Sequence, residues 1–252
     1  MYMRLWITGT LLLSASSARA DHVHTVDHDG AHPFGAGVSM LAASFSTMLY
    51  SGNYQGVVPA VHWSHDRFAA GANVGLYRLE KNGAQFYGVG DVVVHGQVVL
   101  VGQHPVHAGV TAALSIPVGD QLRGMSMGHP MAMPALFGTY MFDRATVTAT
   151  AGYSHAIAAN SEHDHGMWPI VDPMNMVEFT WSAAGDVTLT RELHCGPVLS
   201  GGVPIGDGDN RVIGALRATW GSGRLSTAAE LQLGLVGDPF IVRGVVSTAL
   251  GF

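Results

Sequence analysis

The chain holds a single cysteine, Cys195, so no intramolecular disulfide can staple it and its stability has to come from backbone pairing and packing. Charge is scarce too. Asp, Glu, Lys and Arg make up 12% of the 252 residues, while apolar residues make up 48%. The small balance is negative, formally −6, which argues against a nucleic-acid partner, because phosphate backbones are held by clustered Lys and Arg. Beyond the first twenty residues there is no 3.6-residue apolar period, and no apolar run reaches the roughly 20 residues that a membrane-spanning helix needs. Helices are not the material of this chain. It offers instead 33 glycines and apolar residues spread at alternating positions.

Residues 1–20 are the exception. Arg4 gives a short basic start, residues 5–13 an apolar stretch, and Ala18-Arg19-Ala20 an A-x-A cleavage pattern, so the segment reads as a secretory signal peptide. The exported chain then starts at Asp21, with a His/Asp-rich segment over 21–33 and one domain over 34–252. Without Arg4 and Arg19, ten basic residues face 18 acidic ones, a formal charge of −8.

The alternation is clearest over residues 87–120. Val92, Val94, Gly96, Val98 and Leu100, then Val106, Ala108, Val110, Ala112, Leu114 and Ile116, put apolar groups or glycine at every even position. Odd positions are mixed, with Asp91, His95, Gln97, His107, Thr111 and Ser115 among Val93, Val99, Val101, Gly109 and Ala113. Successive strand side chains point to opposite faces, so this hairpin has one dry and one wet face. The same reading predicts about twelve strands, over 34–46, 54–66, 67–79, 85–102, 105–118, 131–142, 144–157, 174–190, 191–205, 210–221, 223–236 and 239–252. On such a strand Cys195 is expected to be an inert core- or lipid-facing residue.

The connections separate two architectures. Odd links are mostly long, above all 119–130 and 160–173, whereas even links such as Asp143-Arg144 and Gly221-Ser222-Gly223 are tight; Gly237-Asp238-Pro239 is a short odd link. A β-sandwich also alternates, but its strands are usually about 5–6 residues long. Long strands, an even strand count, loops segregated to one end and a last strand closing on aromatic Phe252 predict an all-β transmembrane antiparallel barrel in the outer membrane of a Gram-negative bacterium. In that frame the even positions of 240–252, Phe240 among them, face lipid.

Gly88-Val89-Gly90-Asp91, the strand end Ile116-Pro117-Val118-Gly119-Asp120, Ala151-Gly152-Tyr153-Ser154 and Val203-Pro204-Ile205-Gly206 resemble an outer-membrane transporter family linked to meta-pathway phenol degradation. The likeness covers most of 34–252. It implies a barrel that passes small molecules, hydrophobic ones among them, and it supplies no catalytic residues.

Histidine and methionine gather outside the strands. His22, His24, His28 and His32 interleave with Asp21, Asp27 and Asp29, ligands that suit Cu(II), Ni(II) or Zn(II), and cleavage after Ala20 would free an amine beside His22. The fifth link carries Met125, Met127, His129, Met131 and Met133. The seventh carries Glu162, His163, Asp164, His165 and Met167, then Met174 and Met176. Thioethers are soft ligands that select Cu(I). Link parity puts both groups on one rim, which predicts a shared copper site there; a packing role is the competing expectation. No cofactor is required by the sequence, and copper is the metal its loops suit.

Alternation also assigns Asp91, His95, His107, Glu178, Asp186, Arg217, Arg224, Glu230 and Arg243 to the wet face, as lumen-lining residues paired across the barrel or bordering a conduction path. Enzymatic activity is not expected, since the adjacent Ser154 and His155 point to opposite faces and form no triad. The sequence therefore predicts a porin-like channel or transporter for small solutes, with copper or another soft metal handled by its His/Met-rich loops. The alternatives are a copper-sequestering barrel without general channel activity and a plugged structural barrel. The expected partners are outer-membrane lipids, small-molecule or metal-ion cargo and the outer-membrane barrel-assembly machinery.

Overall fold

The computed structural model describes residues 33–157, 170–171 and 173–252. Twelve antiparallel strands close a barrel in sequence order: β1 Phe34–Ser46, β2 Ser51–His65, β3 Phe68–Lys81, β4 Ala84–Gln103, β5 Val106–Ile116, β6 Met131–Met141, β7 Ala145–Ala156, β8 Val177–Thr188, β9 Leu193–Pro204, β10 Arg211–Ser222, β11 Leu225–Val236 and β12 Phe240–Gly251. The last strand returns to the first, with Gly35 opposite Gly251 and Leu41 opposite Val245. Closure leaves no unpaired edge, the condition under which strands can cross hydrocarbon. Each expected strand is found within a few residues of its span, and among the described residues the one helical element is a 3-10 turn, Gln121–Arg123.

The outer face is apolar because the alternation is. Val38 and Met40 of β1 and Leu231 and Leu233 of β11 are exposed, while Ser39, Leu41, Glu230 and Gln232 between them are buried inside. Exposed aromatics gather at two levels. Phe34, Trp63, Phe68, Tyr140, Trp220 and Phe252 lie near the tight-turn end, and Tyr87, Tyr153 and Phe179 near the end with the long links. Two aromatic girdles bounding an apolar band are the mark of a lipid-facing barrel surface. Cys195 lies on β9 at a position whose parity matches the exposed Pro197 and Leu199.

Four register shifts interrupt the pairing, and two of them bear on which side chains point inward at the long-link end. Between Val74 and Leu76 the pairing with β4 skips, so Tyr87 and Val89 point outward, Gly90 inward, and then Asp91 inward again. The second corrects an expectation. A shift opposite Ser44 and Phe45 turns Phe240 to the interior, where it is 1% exposed and packs in the same cluster as Phe45, away from lipid. A one-residue slip moves every side chain before it to the other face.

The interior divides along the barrel axis. Toward the tight turns the inward positions are small and polar, including Thr139, Thr148, Ser226 and Ser247, with His62, His95, His107 and His194 among them. Toward the long links the interior is filled by an apolar cluster that contains Leu41, Phe45, Tyr54, Tyr77, Leu79 and Phe240. That cluster includes residues from the links themselves.

Candidate functional site at the long-link mouth

The fifth link leaves β5, turns at Gln121–Arg123 and folds back into the barrel. Asp120 caps the turn by accepting from Arg123 N at 3.2 Å, and Gly124, in the left-handed region at φ 79°, ends it. Asp91 is the peg for this fold. Its Oδ1 accepts from Gly119 N and its Oδ2 from Met127 N, each at 3.3 Å, so one inward carboxylate of β4 holds both ends of the segment. Met125 drops into the apolar cluster at 2% exposure, lying over Gly88, where an added Cβ would sit 2.5 Å from its sulfur. The Gly-x-Gly-Asp stretch thus supplies both the floor under the link and the group that ties it down.

The described residues of the seventh link also lie inside the barrel. Ile170 N and Val171 N both donate to Gly124 O, at 2.9 and 3.1 Å, and the two side chains are buried among Phe45, Tyr54 and Leu79. The return to β8 is pegged by a buried network. Arg211 Nη2 donates to Glu178 Oε1 at 2.6 Å and to Oε2 at 2.8 Å, Arg211 Nη1 donates to Pro173 O, and Asn175 Nδ2 donates to Glu178 Oε2 at 2.8 Å. Asn175 also exchanges bonds with the backbone of Asp209 in the ninth link. Glu178 is on β8 and Arg211 on β10, so the pair reaches over β9. Gly202 makes this possible: a Cβ there would lie 2.6 Å from Glu178 Oε2 and 3.0 Å from Arg211 Nη2.

These folds bring the two methionine groups together. Met127, Met131 and Met133 pack with Met174 in one buried cluster, against which Met176 also rests. The placement refines the sequence reading in two ways. Met131 and Met133 are not link residues but the inward positions that open β6, and the group lies inside the barrel mouth instead of on its rim, at 0% and 3% exposure for those two. Met125 belongs to the neighbouring apolar cluster, and His129 is buried in the same link. His22, His24, His28, His32, His163, His165 and Met167 lie outside the described residues. Among the described residues no three His, Cys, Asp or Glu side chains are gathered as a metal site, so thioether is the soft donor that the interior concentrates.

The structure places Asp91, His95, His107, Glu178, Asp186, Arg217, Glu230 and Arg243 at inward positions. Arg224 is different: it is exposed in the tight turn before β11, because the strand begins one residue later, at Leu225. The inward charges are pinned to partners on the wall. Arg217 donates to Asp186 at 2.6 Å, again from β10 across β9 to β8. Arg243 donates to Gln232 at 2.5 Å and to the Tyr54 hydroxyl at 3.3 Å and lies 4.2 Å from the Phe240 ring centroid, while Gln232 donates to Glu230. In the last link, burial pushes the Asp238 carboxyl above the ordinary carboxylate range, against the pull of Arg243 and Arg211. Sequence reading missed Arg211 and Asn175; the inward glycine of β9 beside two charged strands was the available signal. Ser154 is fully buried inside while His155 is exposed outside, where it meets the Tyr153 hydroxyl.

No protein-family model and no curated protein matches the chain. Solved structures do resemble it. The COG4313 outer membrane channel from Pseudomonas putida F1 superposes with a TM-score of 0.67 over 88% of this chain and 96% of its own, at 10% identity. The KdgM porin in complex with disordered oligogalacturonate gives 0.58 over 86% and 99%, at 11% identity. The translocator domain of the autotransporter NalP from Neisseria meningitidis gives 0.53 over 90% and 91%, at 12% identity. The chain therefore has the fold of outer-membrane β-barrels, a fold shared by channels, porins and translocator domains.

Proposed function

We propose that this protein is an outer-membrane channel for small solutes, narrowed at its outer mouth by two inward-folded links. The observation that carries the reading is the junction at Gly124, where the fifth and seventh links meet inside the barrel and are each tied to the wall by a separate peg, Asp91 for one and Glu178 with Arg211 and Asn175 for the other. A wall built only for mechanical stability needs no such device, whereas hydrogen-bonded segments resting in a mouth are parts that can be released. Long links mark the extracellular end of such barrels and short turns the periplasmic end. The lower lumen, lined by Ser, Thr, Gly and His, suits small uncharged or weakly polar molecules, and the resemblance to the meta-pathway family adds small aromatic compounds to that class. Copper or a related soft ion is the second cargo the reading includes, with the His-rich 21–33 segment and the methionines of the mouth as its contacts.

The test is conductance of the refolded mature protein in planar bilayers. Asp91→Ala with Asn175→Ala loosens both pegs and leaves the Glu178–Arg211 pair intact, so the variant should pass more current than the wild type. A barrel that insulates in both forms, while still migrating as a folded species, would instead be a plugged structural barrel.

A further inference from the structure

The methionine cluster contains more than packing needs. Its members come from two segments far apart in sequence: Met127, Met131 and Met133 from the fifth link and the start of β6, Met174 and Met176 from the end of the seventh link. Each segment is fixed just beside its sulfurs. Met127 N is held by Asp91, Asn175 between the two later methionines is held by Glu178, and Met176 O accepts from Ala156 N at 2.7 Å. The donors are therefore positioned by backbone and polar bonds, independently of one another's side chains. A polar group adjoins them. The pairing of Ala132 with His155 and Ala135 with Gly152 keeps one register, which sets Ser154 opposite Met133 on the inner face. Ser154 is fully buried and its hydroxyl has no hydrogen-bond partner among the described residues.

The neighbouring cluster is filled mainly by leucine and aromatic rings, Leu41, Phe45 and Leu79 among them, with Met125 its one methionine, whereas this group gathers five. Beyond its flexibility, a thioether adds what leucine lacks: a polarisable lone pair that binds soft monovalent ions, Cu(I) above others, while calcium and magnesium call for oxygen ligands. We infer that Met127, Met131, Met133, Met174 and Met176 form a thioether site for a soft monovalent cation, and that filling it joins the fifth and seventh links. The inference rests on the reading that these two links narrow the mouth. An ion bound by sulfurs from both segments holds them together, so the metal stabilises the narrowed state. This is a binding step without electron transfer: the ion enters as Cu(I) and stays Cu(I).

The test uses the full mature protein, folded in detergent and in lipid, with Cu(I) and Ag(I), a soft ion of the same charge and filled d shell, as probes. Competition against a chromophoric Cu(I) chelator reads affinity and stoichiometry. The wild type should bind one ion at these sulfurs beyond any held by the His-rich 21–33 segment, and Met131→Leu with Met133→Leu should weaken that binding by about a hundredfold, the upper range for losing even a supporting group at a metal site. Met174→Leu with Met176→Leu should do the same, because the site needs both links; leucine conserves volume and should keep the barrel folded. Ag(I) should raise the temperature at which the wild type loses its folded gel mobility and leave both leucine variants unchanged. Absence of stoichiometric binding, or equal binding in wild type and variants, overturns the site. Loss on the β6 side alone overturns the bridge. Metal-free conductance judges the channel reading separately, so an insulating barrel that still binds Ag(I) through both pairs would retire that reading and keep the site.

Discussion

The two ends of the barrel interior use different chemistry on the same wall. Near the tight turns, inward positions are short hydroxyls, glycines and histidines, joined by local bonds such as Thr139 to Thr148 at 3.0 Å and Thr188 to His194 at 3.1 Å. Near the long links they are aromatic rings, thioethers and the Glu178–Arg211 pair, with Tyr54 and Glu178 at 0% exposure and Arg243 at 1%, and the Arg217–Asp186 pair lies between the two ends. In the proposed channel, the difference locates the narrowing at the long-link end. A short-side-chain wall leaves space in the middle of a barrel, whereas a wall of long side chains meeting two folded-in links removes it. On the proposed channel reading, one end is a lined vestibule and the other a pegged stopper.

The comparison predicts that substitutions at the stopper end cost far more than at the vestibule end. The largest effect belongs to Arg211→Met, which strands the buried Glu178 carboxylate; losing one partner of a buried pair costs about 3–5 kcal/mol, read here as lowered resistance to urea. Adding Glu178→Gln should recover much of the loss. A recovery that fails would mean that the pair acts through packing instead of charge. Next comes Gly202→Ala, whose methyl collides with the same pair; overpacking of this kind costs about 1–3 kcal/mol, measured in the same titration. At the vestibule end Thr148→Val removes one hydroxyl bond and should cost about 1 kcal/mol, with conductance unchanged.

The smallest effect is at Asp238. Its carboxyl is raised in the folded protein, so the folded state holds its proton to higher pH than the unfolded chain does. Stability is then gained as pH falls through the folded value, and Asp238→Asn should stabilise by less than about 1 kcal/mol at neutral pH. Below the ordinary carboxylate range both states are protonated and the gain should vanish. Equal gain at every pH would assign the effect to something other than ionisation, with Arg243, Arg211 and Glu178 the charged neighbours to examine.

The barrel was legible because its physics is local. Two-residue alternation and turn residues fix strand number, face and connection length, and nothing distant has to be known to place Val94 outward and His95 inward. What went unread depended on register and on long-range folding. Phe240 sits on the wrong side of a register shift that its own strand does not announce, and Arg224 lies one residue short of the strand it was assigned to. The methionines were legible as a group, but a link on a rim and a link folded inward have the same sequence. The bonds that hold the links in place, those of Asp91 and of Asn175 with Glu178 and Arg211 among them, separate the two, and neither motif nor period identifies a peg. The reach of Arg211 over β9 is written in Gly202, yet a single glycine among 33 carries no such meaning until its neighbours are known.

The most direct test of the account is single-channel recording on the wild type beside Asp91→Ala with Asn175→Ala. The pegged stopper predicts small, infrequent currents in the wild type and larger, longer openings in the variant, at equal folded yield. Currents of the same size and duration in both, with the pegs demonstrably removed, would contradict it.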